Sequence, residues 1–164
     1  MNPKQPPPPG TDANPVLIRN DCAGLQFSQG SIQELFRILH SIDRLKHPTG
    51  ELSIVFLPAD IHTELHKQFH NNPEPTDVIT FRGNPMTNFG GEICVSPGYA
   101  LEYVHLHGGD FAIEVTLYLI HGWLHLCGFN DIKENDRQNM RKEEQRCINL
   151  LENSDKIPDF KFST

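Results

Sequence analysis

The chain has 164 residues and a formal net charge of -7. That is length for one domain, and a nucleic-acid partner has to be met by a local basic patch, because the overall charge repels phosphate. The four cysteines, Cys22, Cys94, Cys127 and Cys147, form no CxxC pair, which excludes a disulfide framework or a cysteine zinc site and points to free thiols in a reducing cytosol. No run of about 18 apolar residues exists to span a membrane, and a proline run stands where a secretory leader would need an apolar stretch.

In chain order, residues 1–14 (MNPKQPPPPGTDAN) form a proline-rich segment that cannot pack a core, and they are expected as a disordered tail. VLIRN at 16–20 is a strand candidate. From Ser31 to Lys46, Ile32, Leu35, Phe36, Leu39 and Ile42 recur at helical spacing, with Ser31 as cap and Glu34 completing a capping box. ELSIVFL at 51–57 is a buried strand, and a second helix runs from Asp60 to about Phe69. TDVITF at 76–81 and GEICVS at 91–96 are further strands, followed by a short helix from Pro97 to about Val104. Asp110 then caps a helix from Phe111 to Cys127 that is apolar on nearly all sides and so belongs in the centre of the core. Residues 133–152 form a last amphipathic helix, and 154–164 are expected as a C-terminal tail. The order predicts an α+β fold: a small mixed β-sheet of about four strands packed with about five helices.

Chemistry concentrates at the end of the central helix. His121 and His125 are four residues apart, so both imidazoles share one face and can reach one ion. Gly128 allows a sharp change of direction, and Asp131 can then fold its carboxylate back. HxxxHxxGxxD offers two histidines and one carboxylate, leaving the open coordination that hydrolytic zinc sites need. Gly122 stands where HExxH metallopeptidases carry their glutamate base, and it is expected to make room beside the metal. The other histidines, His40, His47, His62, His66, His70, His105 and His107, are expected to be mostly solvated. His62, His66 and His70 share the i, i+4 spacing and are a weaker candidate for a second metal site. Glu51, Glu102 and Glu114 are expected at the surface.

HGWLHLCGFND at 121–131 resembles HGxLHLxGYDH, the signature of the YbeY endoribonucleases. PTDVITF at 75–81 is similar to that family's PTDVLSF, GEICVS at 91–96 to its GDIxIS, and Met140 with Glu143 and Glu144 to its C-terminal helix. The resemblance spans roughly residues 16–152 and places a YbeY-like hydrolase domain at 15–153. It implies a cytoplasmic, metal-dependent, single-strand-specific endoribonuclease. Such an enzyme would act in ribosomal RNA maturation at the small-subunit RNA 3′ end and in ribosome quality control, with ribosomal RNA and small-subunit components as partners. Asp131 departs from the pattern, since the family's third ligand is histidine. The change lowers the site charge from +2 to +1 and widens metal choice from zinc towards iron or manganese. His70 follows Phe69 where the family often has arginine, which makes His70 a candidate phosphate contact or proton shuttle. Lys67, Arg82, Lys133, Arg137 and Arg141 are candidate phosphate contacts. Two rivals stand beside this reading: a zincin-like metallopeptidase, and a non-catalytic ribosome assembly factor with a stabilising metal.

Overall fold

The computed structural model describes residues 14–164. Strand β1 (Val16–Asn20), helix α1 (Gln29–His40) and strand β3 (Glu51–Phe56) open the chain, with a two-residue strand β2 (Leu25–Gln26) between β1 and α1. Then come α2 (Ala59–His70), β4 (Val78–Asn84), β5 (Phe89–Val95), α3 (Pro97–His107), α4 (Phe111–Leu126), α5 (Glu134–Asn153) and a short β6 (Lys161–Phe162). The main sheet has the order β1-β3-β5-β4, with β1, β3 and β5 parallel and β4 antiparallel to β5. Among the described residues the fold is therefore a four-stranded mixed sheet with five α-helices, the α+β class expected.

Alternation along β3 builds two cores. Leu52, Ile54 and Phe56 face one side and join Ile93, Val95 and the residues of α1, α4 and α5. Val55 and Leu57 face the other side with Ile79 and Cys94, where Leu65 of α2 covers them. On α4, Leu119, Ile120, Trp123 and Leu124 are wholly buried, as the all-round apolar pattern requires. The Asp110 carboxylate accepts the Ile113 N–H at 2.9 Å, which is the predicted cap.

Gly122 has a different reason from the one expected. A Cβ there would lie 2.7 Å from Ile93 Cγ2 and 3.1 Å from Val78 Cγ2. The glycine lets α4 press onto β4 and β5. It makes no room beside a metal, because the position faces the sheet.

Two ends of the chain also correct the prediction. Helix α1 starts at Gln29 and stops at His40, and Ser31 is not its cap. The Ser31 hydroxyl donates to Ser28 O at 2.7 Å, and Glu34 pairs with Arg37 instead of closing a box. The anion at this helix start is Asp159, which accepts the Ser28 N–H at 3.0 Å and the Ser31 hydroxyl at 3.2 Å. Residues 154–164 are thus no loose tail: Phe160 is buried, and β6 pairs antiparallel with β2. Of the expected N-terminal tail, residues 1–13 lie outside the described residues. Asn14 is described, and its side chain accepts the Gly50 N–H at 2.8 Å.

Candidate metal centre

His121 and His125 project from the last two turns of α4, and the chain turns back at Gly128 with φ +102°. That left-handed conformation suits glycine. It returns Asp131 to the histidines, so the shorter aspartate side chain still reaches them. His121 Nε2 lies 3.0 Å from His125 Nε2, and Asp131 Oδ2 lies 3.3 Å and 3.5 Å from the two nitrogens. Among the described residues this is the one group of three or more potential ligands that converges in this way.

Hydrogen bonds fix which nitrogens face inward. His121 Nδ1 lies 2.5 Å from Glu144 Oε1 on α5, and His125 Nδ1 lies 3.0 Å from Phe129 O. Both partners accept, so each Nδ1 carries its proton and donates. Each neutral ring then presents a bare Nε2 lone pair to the other, with a carboxylate oxygen alongside. Three acceptors this close need a cation between them, either a metal ion or, on His121, a proton. Four ligands about 2.0–2.2 Å from a tetrahedral ion stand about 3.3–3.6 Å apart, close to the edges seen here. The donor set therefore fits a divalent transition metal, and a carboxylate or carbonyl behind each histidine is the usual support of such sites.

The triad stays open to solvent: its side chains are 19% (His121), 25% (His125) and 40% (Asp131) exposed. Burial disfavours the charged His121 ring, but Glu144, Asp77 and Asp131 outweigh it and hold its pKa above the ordinary value. Burial and then the neighbouring His121 push His125 below its ordinary value. Metal binding thus competes with a proton at His121.

Glu144 is the functional residue that spacing missed. It is 23 residues from His121 in sequence, and the matching C-terminal block was the only sign of it. Glu114, expected at the surface, is half-buried on α4, and burial raises its pKa.

The second histidine row does not make a site. His62 is wholly buried, with Nε2 2.8 Å from Cys94 O. His66 Nδ1 meets Glu74 O at 2.7 Å. His70 is exposed, its ring 5.4 Å from that of His66, and no hydrogen bond or ion pair joins it to the triad. All four thiols are free, and burial lifts Cys94, Cys127 and Cys147 to about 12, so they stay protonated. No helix among the described residues is long and apolar enough to cross a membrane.

Comparison with known proteins agrees with this geometry. The family model described as Endoribonuclease YbeY matches residues 20–152. The chain belongs to the YbeY endoribonuclease family. A YbeY from Protochlamydia amoebophila is 34% identical over 140 residues, covering 83% of this chain and 92% of the relative. One from Chlamydia pneumoniae is 30% identical over 144 residues, covering 83% and 90%. The solution structure of TM1509 from Thermotoga maritima shares the fold, with a TM-score of 0.60 at 22% identity over 85% of this chain and 90% of that one. The family match contains all three members of the triad together with Glu144.

Proposed function

We propose that this chain is a metal-dependent endoribonuclease that cleaves single-stranded RNA in ribosomal RNA maturation, at the small-subunit RNA 3′ end and in ribosome quality control. The observation that carries the metal half is the triad, three acceptor atoms within 3.0–3.5 Å of one another. Family membership carries the RNA half, since the curated relatives are named as endoribonucleases. The triad would hold one divalent ion, with zinc as the proposed metal. Such an ion supplies Lewis-acid charge to a phosphodiester oxygen. Glu144 and the Phe129 carbonyl retain the Nδ1 protons and keep both rings aimed. His70 is proposed as a phosphate contact or proton carrier near the substrate. The proposed location is the cytoplasm, with small-subunit components as partners.

The rival readings are less well supported. A metallopeptidase of the HExxH type needs a glutamate at 122, and that position is packed against Ile93 and Val78. A purely structural ion usually has four protein ligands, whereas three are gathered here. The test is cleavage of ribosomal RNA by the purified protein with and without chelator. Cleavage that stops with chelator and returns with metal is expected. Chelator-resistant cleavage, equal in His121→Ala, would overturn the metal mechanism.

A further inference from the structure

RNA must approach a chain of net charge -7, so where its cations are free decides where the strand can lie. Arg19, Arg37, Arg44, Arg137 and Arg146 are each ion-paired with a nearby carboxylate. This includes Arg137, one of the phosphate contacts expected from sequence, which is held by Glu134 at 2.7 Å. Lys67, Lys133, Arg141, Lys142, Lys156 and Lys161 are likewise exposed and outside these ion pairs, but they line none of the clefts compared below. Arg82 and Lys46 are exposed, pair with no carboxylate among the described residues, and do line a cleft. Together with His47 they line one cleft of about 440 Å³.

That cleft differs in charge from four other clefts among the described residues. Its lining contains no aspartate or glutamate. The cleft of about 590 Å³ between α2 and the outer sheet face is lined by Glu64 and Glu92, and two clefts beside α3 share Glu102.

Its position is also informative. One wall is Leu126, Cys127 and Gly128, the end of α4 directly after His125 and the turn that returns Asp131. The other wall is the β4–β5 hairpin and the loop before β3. A Cβ on Gly83 would fall 1.9 Å from Phe89 O, so the hairpin closes on itself here, and half-buried Phe89 lines the wall. His47 is anchored: its ring stacks on His40 at 4.7 Å, and His40 lies 6.0 Å from Trp123 of α4.

We propose that this cleft binds the backbone of single-stranded RNA next to the scissile bond. Lys46 and Arg82 each contact a phosphate there, and Phe89 offers a face for one base. The proposal rests on the endoribonuclease reading above. It assigns the substrate path to the side of the triad bounded by residues 126–128.

The test uses the metal-loaded full chain and its Lys46→Ala/Arg82→Ala double variant. The probe is a 2′-O-methylated oligouridylate of about 12 nucleotides, long enough to cover one binding groove. Its Kd is measured against salt concentration, and cleavage of the unmodified RNA is measured in parallel. Losing two phosphate contacts should make the slope of log affinity against log salt shallower by about 1.4, which is roughly 25-fold weaker binding at about 0.1 M salt. KM should rise by a similar factor, with a smaller change in kcat. Unchanged slope and affinity, with the wild type still cleaving RNA, overturns the cleft assignment alone. A fall in affinity with the slope unchanged also overturns it, because a structural disturbance removes no counterions. A wild type that binds metal yet cleaves no single-stranded RNA overturns the endoribonuclease reading, and this proposal with it.

Discussion

Helices α2 and α4 each carry histidines at i, i+4 spacing, and only α4 makes a candidate metal site. On α4 the rings of His121 and His125 bring their Nε2 atoms to 3.0 Å, and a turn delivers Asp131. On α2 the row splits. His62 turns into the sheet to meet Cys94 O, His66 meets Glu74 O, and His70 remains at the surface. The spacing puts imidazoles on one face of a helix. It does not supply a third ligand, nor a partner that holds each ring in one tautomer. Those come from elsewhere in the fold, from Gly128 and Asp131 on one side and Glu144 of α5 on the other.

The sharpest way to break this contrast is to remove ligands from each row. His121→Ala and Asp131→Ala should reduce RNA cleavage to background, while His66→Ala retains it, as read in a gel-based cleavage assay. Equal loss from both helices would erase the distinction. Glu144→Gln tests the support rather than the ligand. It should weaken metal affinity by about 10–100-fold in a competition titration with a chromophoric chelator, with the far-ultraviolet spectrum unchanged.

Much of this contrast could be read from the sequence. The α4 pattern, its Asp110 cap and the HxxxHxxGxxD string are local, and local patterns survive folding. The residues that escaped are those whose reason is distant. Ser31 looked like a cap because the real anion, Asp159, is 128 residues away. Gly122 looked like room beside the metal because its true neighbours, Ile93 and Val78, belong to other elements. His62 looked solvated because α2 has a polar composition, yet its ring enters the core beneath the sheet. Glu144 carried no spacing signal of its own.

Smaller effects sharpen the same comparison. Gly122→Ala inserts a methyl where Ile93 Cγ2 already lies 2.7 Å away. It should cost about 1–3 kcal/mol in denaturant unfolding, whereas a glycine placed for substrate access would tolerate alanine without loss of stability. His62 titrates in the opposite direction from His121. Burial lowers its folded pKa below the ordinary value near 6.5, so the unfolded chain takes up the proton first. Its contribution is complete above about pH 6.5 and is lost as pH falls towards the folded pKa. His62→Gln should therefore flatten the acid side of the stability profile, and an unaltered profile would show that the ring is not what senses the pH. Asp159→Ala should cost about 1 kcal/mol, as loss of a capping group does, and thermal unfolding of the variant would read it.

The central claim is that His121, His125 and Asp131 form one metal site. Elemental analysis of the purified wild type beside Asp131→Ala tests it most directly. The account predicts one divalent transition-metal ion per chain in the wild type and a substoichiometric amount in the variant. A wild type that takes up no ion when metal is supplied, or a variant that holds it equally well, would contradict it.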